Sequence, residues 1–543
     1  MPGSGASPLR LVPLFAALAC VLASLAGCGS GSGSGGNGGG TTPHVSHGNP
    51  ETILEDEGRL HTDPAGTLDL MRRWGVSRVR VYLRWQALAP NPDVPARPQN
   101  FNAADSTAYP AGTWAIYDTI VRDAAQRGIG IDLTLGGPAP MWANGRGAPR
   151  NSYSSWKPSA AEFGAFVRAA ASRYSGRFTP AGSASPLPRV RFWAIWNEPN
   201  YGPDLSPQAV DHSTIEVSPL LYRGLLDAAW SALRATGHGS DTILIGETAP
   251  RGQTVGDQPG NFSGMVPLRF VRALYCVDAN FRPLTGTAAS LRGCPPGSAG
   301  SHAFEQTHPA LFRAAGFADH PYPQGLAPNV VTPAEPDYAD LASLPKLEQT
   351  LDRAQSAYGT HSPLPIYSTE FGYQTDPPET IARTTHPATA ARYLNWAEYI
   401  SWRDPRVRSY DQFLIADPPG ANASGGFATG LLFKDGTPKA TLDAFRLPIF
   451  LPPGAGAGSQ VEVWGCARPA AYVAGGASRP PVQIQFRGTS SATFKTVATV
   501  PITDPHGYFD TRVRAARTGY LRLAWTYPHG PTIHSRVATV GVG

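Results

Sequence analysis

The stretch RFWAIWNEPNY, Arg191–Tyr201, holds an apolar run that stops at two polar residues and a proline. An apolar run of this length, bounded by Pro199, predicts a strand that is buried on both faces, as in a parallel sheet. Asn197 and Glu198 then lie at the carboxyl end of that strand. In a parallel barrel, the carboxyl ends of the strands carry the reactive side chains. The stretch therefore predicts a strand that presents an amide and a carboxyl group at the mouth of a barrel.

Strand and helix patterns alternate along most of the chain on both sides of this stretch. Strands are predicted over Thr52–Leu60 and from Ser77, Ile129, Arg191, Thr242, Phe317, Pro365 and Val407. Such alternation is typical of parallel βαβ units. Eight units over about 400 residues predict a (β/α)8 TIM barrel, which we assign to residues 49–450. A doubly wound sheet is the alternative, but it usually carries a glycine-rich phosphate loop after its first strand, and the sequence has none there.

The pattern changes near residue 451. Pro452, Pro453 and Gly454 begin a linker, and short strand patterns separated by turns follow it. This spacing predicts a small β-sandwich of the immunoglobulin or fibronectin type III kind over residues 451–543. Its aromatic residues are expected in the sandwich core, which favours a structural role over an exposed sugar-binding platform.

Residues 1–28 have the pattern of a targeting segment and are left out of the fold prediction. A basic residue precedes the apolar run at residues 11–25, which is short for a membrane span. The run and Cys28 after it resemble a bacterial lipoprotein signal, in which Cys28 would be lipidated; an ordinary secretory signal cleaved near Ala26 is the alternative. Residues 29–48 are rich in Gly and Ser and predict a flexible tether. We expect an extracytoplasmic protein, secreted or lipid-anchored to the membrane of a bacterial envelope.

The cysteines agree with an oxidising compartment. Cys276 and Cys294 lie in one irregular segment with Gly and Pro nearby, and outside the cytosol they are expected to form a disulfide. Cys466 is expected to be a small buried core residue. The sequence has no CxxC motif and no clustered His/Cys pattern, so it predicts no metal site and no cofactor.

The charge pattern argues against a nucleic-acid partner. The formal net charge is +5 over 543 residues, charged residues make up only 16%, and no basic run stands out. Proteins that bind nucleic acid usually show a basic patch or stripe. We expect a monomer without a nucleic-acid partner.

Two carboxyl residues end predicted strands, Glu198 on the fourth and Glu370 on the seventh. Strands on opposite sides of a small barrel can direct both side chains into one mouth. Such a pair suits glycoside cleavage, in which one carboxylic acid protonates the leaving oxygen and the other carboxylate, about 5–5.5 Å away in retaining enzymes, attacks the anomeric carbon. The two groups need different environments to keep different pKa values. Glu247, on the fifth strand, is a rival carboxylate for which a structural role is favoured.

At these residues the sequence resembles the retaining glycoside hydrolases of clan A, and the cellulase-like and β-xylosidase-like families are most similar. The resemblance spans residues 50–450 and is carried by Trp196-Asn197-Glu198-Pro199 and Thr369-Glu370-Phe371-Gly372. It implies a glycosidase with a carbohydrate substrate, with Glu198 as the acid/base and Glu370 as the nucleophile.

The same resemblance implies substrate-binding roles. Asn197 would hold the sugar 2-hydroxyl, Arg80 would lie beneath the nucleophile, and His320 and Tyr322 would lie near it. Arg80 as a structural ion-pair residue and His320 as a buried core histidine are the alternatives. Trp142 follows the third strand and is expected either to stack on a sugar ring or to pack in the core.

Strand eight departs from the pattern of these families. Their members often carry a tryptophan at its end, whereas this chain has SYDQFLI at Ser409–Ile415. The sequence therefore does not identify the sugar. A catalytically silent carbohydrate-binding or cell-envelope protein on the same scaffold is the alternative to an enzyme. The presence of both carboxyl residues together with Asn197 favours the enzyme.

Overall fold

The computed structural model describes residues 48–149, 154–210, 213–254, 264–332, 334–453, 460–473, 479–515 and 517–541. The predicted signal at residues 1–28, including Cys28, lies outside the described residues, and so does the predicted tether except for Gly48. Within the described ranges, no helix is both long enough and apolar enough to cross a bilayer.

Eight parallel strands form a closed barrel in sequence order. The strands are β1 Glu51–Glu55, β2 Arg78–Arg84, β3 Gly130–Gly136, β4 Phe192–Ile195, β5 Thr242–Thr248, β6 Gly316–Asp319, β7 Ile366–Ser368 and β8 Val407–Phe413. Each strand pairs with the next, and β1 closes the barrel against β8 with Glu51 opposite Ser409. The predicted TIM barrel is confirmed. The first strand is shorter than predicted, because the chain turns into a helix at Glu57.

Helices cover the outside of the barrel and lie in several of its loops, and one short helix, Ala470–Val473, lies in the C-terminal region. They span Glu57–Thr62, Pro64–Trp74, Trp85–Leu88, Ala115–Gln126, Ala160–Arg173, Ser218–Ala235, Pro267–Leu274, Gly286–Ser290, Ser298–Thr307, Pro309–Arg313, Leu344–Ser356, Pro387–Arg403, Ala440–Arg446 and Ala470–Val473.

Local sequence explains where the helices begin and end, and Pro64–Trp74 is an example. The Asp63 carboxylate accepts the backbone N–H of Gly66, and proline occupies the first position. A side-chain cap and an N-terminal proline both favour a helix start. Gly75 ends the helix at φ +85°, a conformation that costs glycine little.

Alternation along β2 sets the direction of its side chains. Val79, Val81 and Leu83 are buried in the main hydrophobic core. Arg80 points the other way, into the barrel, where its guanidinium reaches Thr134 on β3 and Glu247 on β5. Successive side chains of a strand face opposite sides of the sheet, so one arginine can stand at the centre of the barrel while its neighbours pack against helices.

The C-terminal region forms two antiparallel sheets around a second hydrophobic core. The strands are β9 Ile449–Phe450, β10 Gln460–Cys466, β11 Val482–Arg487, β12 Lys495–Val500, β13 Tyr508–Arg514, β14 Gly519–Thr526, β15 Thr532–His534 and β16 Ala538–Val540. One sheet has the order β13-β10-β9, and the other has β12-β11-β14-β15 with β16 also paired to β14. This arrangement confirms a small β-sandwich after the barrel. Its first strand, β9, begins before residue 451, the predicted start of the domain.

A buried ion pair joins the sandwich to the barrel. Arg468 donates to Glu398 at 2.6 Å, and both side chains are almost fully buried. The same carboxylate accepts the hydroxyl of Tyr508 on β13 at 2.9 Å. Arg468 also donates to Thr52 on β1, so the sandwich contacts a barrel strand directly.

The structure joins Cys276 and Cys294 in a disulfide with Cα atoms 5.7 Å apart. Cys276 follows the helix Pro267–Leu274, in the long segment between β5 and β6. Cys466 is a buried free thiol on β10, and its Sγ donates to the carbonyl of His506.

Candidate active site

The carboxyl ends of β4, β6 and β7 bring together three side chains at the mouth of the barrel. One ligand atom from each of Glu198, His320 and Glu370 lies within 4.8 Å of the other two. The two carboxyl side chains keep 19% and 13% of their surface exposed, whereas His320 is fully buried. Two solvent-reachable carboxyl groups therefore stand close together above a buried imidazole.

The backbone is strained where these side chains are presented. Trp196, Glu198 and Glu247 have φ values of +73°, +37° and +51°. Residues with a β-carbon rarely adopt this left-handed region, and such strain concentrates at functional sites. The backbone N–H of Glu198 donates to the carbonyl of Glu247 at 2.9 Å, which ties the end of β4 to the end of β5.

Glu370 is held by two donors. Arg80 Nη1 donates to Oε1 at 2.6 Å, and the Tyr322 hydroxyl donates to Oε2 at 3.0 Å. Hydrogen bonds of this kind stabilise a carboxylate, since both oxygens accept and one donor is a cation. Arg80 and Tyr322 therefore both contact the candidate nucleophile.

Arg80 is the buried cation at the centre of the site. Besides Glu370, its guanidinium donates to Glu55 at 2.7 Å, to Glu247 at 2.7 Å and to the side-chain oxygen of Asn197 at 2.9 Å. Burial alone would lower the pKa of Arg80. The surrounding carboxyl groups, Glu55 and Glu247 foremost, raise that pKa well above its ordinary value instead. One arginine therefore orients both the candidate nucleophile and the amide beside the candidate acid.

His320 bridges two carboxyl groups. Nδ1 lies 3.0 Å from Glu198 Oε1, and Nε2 lies 3.0 Å from Glu247 Oε2. Burial opposes a charge on the ring, but the charge of Glu370 and the two hydrogen bonds raise the pKa of His320 well above its ordinary value. An imidazolium donates from both nitrogens and offers no lone pair to a metal ion. The cluster could hold a metal through its atom spacing, yet a ring in this protonation state would first have to lose a proton.

Glu247 lies beneath this cluster with a fully buried side chain. Burial would raise its pKa, but Arg80 and His320 outweigh burial and lower it. Glu247 is thus an ionised partner of two cations and is closed off from solvent. This environment agrees with the structural role that the sequence favours for it.

Asn197 is fixed on both sides of its amide. The oxygen accepts from Arg80, and the nitrogen lies 3.4 Å from Asp204 Oδ1. Burial, and then the charge of Glu198, raise the pKa of Asp204 to about 8. Sequence reasoning missed Asp204 because it lies in the loop after β4, beyond any strand pattern.

Two further carboxyl groups at the site were also missed. Burial raises the pKa of Glu55, on β1, to about 8 despite its contact with Arg80. Burial and the neighbouring Glu55 raise the pKa of Asp411, on β8, well above its ordinary value. The sequence did contain a signal for Glu55. This residue ends its strand, and Glu198 and Glu370 come just after the ends of theirs. The neutral forms of Asp204, Glu55 and Asp411 limit the electrostatic repulsion among the carboxyl groups around Arg80 and His320.

Trp142 packs among aromatic side chains of the hydrophobic core. Its side chain is buried, and Nε1 donates to the carbonyl of Pro90 at 3.0 Å. Its ring packs edge-on against Trp85 and Phe101, with centroids 6.2 and 5.8 Å apart. Core packing, rather than sugar stacking, fits this environment.

A cavity of about 800 Å³ opens at the carboxylates. This volume lies within the range of sites for small molecules. Its lining includes Glu55, Arg80, Tyr82, Asn197, Glu198, Asp204, Glu370, Phe413, Leu414 and Phe427. The helix Glu57–Thr62 and the segment 416–419 form another part of the wall.

No protein family model matches the sequence, and no curated protein matches it. Solved structures are similar to this chain over most of its length. A family 39 glycoside hydrolase from Bacteroides cellulosilyticus has 14% identity and a TM-score of 0.44, covering 86% of this chain and 79% of its own. A glucosidase from Croceicoccus marinus has 13% identity and a TM-score of 0.45, covering 91% and 94%. A GH30 endoxylanase from Clostridium papyrosolvens has 11% identity and a TM-score of 0.41, covering 86% and 94%.

The names of these neighbours are those of a glycoside hydrolase, a glucosidase and an endoxylanase, and they do not single out one family. With identities of 11–14% and TM-scores of 0.41–0.45, the likeness assigns no activity to this chain.

Proposed function

We propose that the protein is a retaining glycoside hydrolase that cleaves O-glycosidic bonds of an extracytoplasmic polysaccharide or glycoside by double displacement. The observation that carries the proposal is the short distance between Glu198 and Glu370. One carboxyl oxygen of Glu198 lies within 4.8 Å of one carboxyl oxygen of Glu370. Retaining enzymes hold the two carboxyl groups about 5–5.5 Å apart, and inverting enzymes about 6.5–9.5 Å apart to admit a water molecule.

In the first step, a Glu370 oxygen attacks the anomeric carbon while protonated Glu198 gives its proton to the glycosidic oxygen. The bond to the leaving group breaks, and a glycosyl ester forms on Glu370. Arg80 and Tyr322 each hold one oxygen of Glu370, so they orient the attacking group.

In the second step, Glu198 as a carboxylate takes a proton from water, and the resulting hydroxide attacks the anomeric carbon. The ester bond breaks, Glu370 leaves as a carboxylate, and the sugar departs with its original configuration. The contact between His320 Nδ1 and Glu198 Oε1 supports this role, because an imidazolium stabilises the carboxylate that the first step creates.

Asn197 is proposed to hold the sugar 2-hydroxyl. Arg80 occupies its amide oxygen, so the orientation of the amide is set before substrate arrives. Asn197 also lines the cavity beside Glu198. A preorganised hydrogen bond of this kind contributes when it strengthens in the transition state.

The proposal includes a location outside the cytoplasm. The disulfide between Cys276 and Cys294 supports it, since such bonds persist in oxidising compartments. Lipidation of Cys28 would anchor the protein to the bacterial membrane. In a bacterial host, Cys28→Ser should move the protein from the membrane fraction to the soluble extracytoplasmic fraction. An unchanged distribution would contradict the anchor.

The experiment that tests the activity compares wild type with Glu370→Ala on a panel of aryl glycosides. We expect the variant to lose at least about 1,000-fold in kcat/KM, because no group remains to form the ester. Azide should restore part of the turnover and give a glycosyl azide of inverted configuration. Equal background rates in both proteins would instead favour the alternative of a catalytically silent carbohydrate-binding protein.

A further inference from the structure

An aromatic side chain from the loop after β8 reaches the same cavity as the two carboxylates. Phe427 lines that cavity and leaves 39% of its surface exposed. Phe413, at the end of β8, lines the cavity beside it. Strand eight itself carries no tryptophan, so these rings are the aromatic surface that this side of the barrel offers to a ligand.

Phe427 is connected to the candidate nucleophile through one side chain. Its ring centroid lies 5.4 Å from that of Tyr322, and the Tyr322 hydroxyl donates to Glu370. The ring planes of Tyr322 and Phe413 stand at 79° and 82° to that of Phe427. Neither neighbour stacks parallel to Phe427, and the side chain of Phe427 contributes to the cavity lining.

The backbone at Phe427 is strained. Its φ is +67°, and it follows Gly425 and Gly426 at +113° and +138°. A side chain with a β-carbon rarely adopts such a conformation and keeps it only where the surroundings hold it. The loop after β8 therefore holds Phe427 in an unfavoured backbone conformation.

Buried polar groups fix Ala428, the residue after Phe427, through hydrogen bonds to its backbone N–H and to its carbonyl. The N–H of Ala428 donates to Glu379 at 2.7 Å, and its carbonyl accepts from Lys439 at 3.2 Å and from the backbone of Thr375 at 3.1 Å. Lys439 in turn pairs with Asp417 at 2.6 Å, and both side chains are fully buried. Burying such a pair costs solvation energy, which is recovered only with good geometry. This network fixes the position from which Phe427 projects.

We propose that Phe427 is a sugar-stacking residue, whose ring packs against the C–H face of a pyranose bound next to Glu370. Aromatic rings offer a large rigid apolar face, and the C–H surface of a pyranose is its complement. The ring takes no part in proton transfer or bond formation; it binds and orients the substrate. This inference rests on the proposed glycosidase function.

The test measures binding and turnover in three variants. Phe427→Ala should raise KM, and weaken equilibrium binding of the same glycoside to Glu370→Gln, by about tenfold, which corresponds to about 1.4 kcal/mol. Phe427→Leu keeps an apolar side chain without a flat ring and should lose nearly as much. Phe427→Trp should stay within about threefold of wild type. As the matched control, Leu291→Ala shortens an apolar side chain that is 50% exposed and does not line the cavity, so it should change neither quantity.

The binding measurement separates the two proposals. A panel that binds but is not hydrolysed would contradict the glycosidase proposal, while a loss of binding in Phe427→Ala would still support the stacking role. Hydrolysis that depends on Glu370, with unchanged KM and binding in Phe427→Ala and Phe427→Leu, would overturn the stacking role alone. If Phe427→Ala fails to fold in a thermal melt, Phe427→Leu against Phe427→Trp decides the question. Absence of binding to every glycoside in wild type would contradict both.

Discussion

Arg80 Nη1 lies 2.6 Å from Glu370 Oε1 and donates a charged hydrogen bond to it. The same guanidinium contacts buried Glu247, so one side chain serves the candidate nucleophile and the interior of the barrel at once. The planar guanidinium of Arg80 donates to several acceptors in fixed directions, and a lysine ammonium cannot reproduce that arrangement.

Arg80→Lys is therefore expected to lower kcat/KM by at least about 100-fold and to destabilise the fold by about 3 kcal/mol, because buried Glu247 loses part of its pairing. Steady-state kinetics and denaturant unfolding measure the two effects. Arg97→Lys is the control: Arg97 pairs with Glu162 outside the cavity lining, and its side chain is 41% exposed. Such a pair contributes about 0–1 kcal/mol. Equal effects of the two substitutions would contradict the central position of Arg80.

Asp204 should make the stability of the protein depend on pH. Its pKa is about 8 in the folded protein, against an ordinary value of 3.8. A raised carboxyl pKa means that the folded state holds the proton more tightly. Its contribution to stability is then largest below about pH 4 and is lost as pH rises through about 8.

Asp204→Asn removes the titrating carboxyl group, so the variant does not lose stability as that group ionises. The melting temperature of the variant relative to wild type should increase from pH 5 to pH 8.5, by the equivalent of at least about 1 kcal/mol. Exposed Asp435→Asn is the control: hydrogen bonds from Thr437 lower the pKa of Asp435, so this group stays ionised from pH 5 to pH 8.5 and the variant should show no such trend. A constant difference between Asp204→Asn and wild type over this range would show that Asp204 is already ionised in the folded protein.

Arg468→Ala should destabilise the whole chain by about 3–5 kcal/mol, because Glu398 would be left buried without its cation. Calorimetry should still show one transition for the barrel and sandwich together, shifted to lower temperature. Arg512→Ala removes an arginine from the sandwich surface that is 63% exposed, and it should have little effect. Separate transitions of the barrel and the sandwich in wild type would contradict a structural coupling between them.

Hydrophobic periodicity was enough to predict the barrel, because buried parallel strands carry apolar runs that differ from the pattern of the helices between them. The strand ends then indicated Glu198 and Glu370. Glu55 escaped because its strand was extended to Leu60, past the turn at Asp56 where a helix begins. Asp56 is the N-cap of that helix, since its carboxylate accepts the backbone N–H of Arg59, and this local signal marks the end of the strand.

Loop residues could not be placed from sequence. Asp204 reaches Asn197 because the loop after β4 folds back on the end of the strand, and Phe427 reaches Tyr322 because the fold brings distant segments together. Trp142 shows the reverse case: a tryptophan after a strand end suits either a sugar or the core, and the contact with Pro90 that favours the core exists only in three dimensions.

Double displacement requires that Glu370 form a covalent bond to the substrate. The most direct measurement is mass spectrometry of the protein after reaction with a panel of 2,4-dinitrophenyl 2-deoxy-2-fluoroglycosides, whose fluorine slows both steps while the good leaving group still allows the first. We expect one sugar mass on the peptide that contains Glu370 in wild type, and none in Glu370→Gln. A label on Glu55 or another carboxylate, or turnover that gives an inverted sugar and no label, would contradict the mechanism.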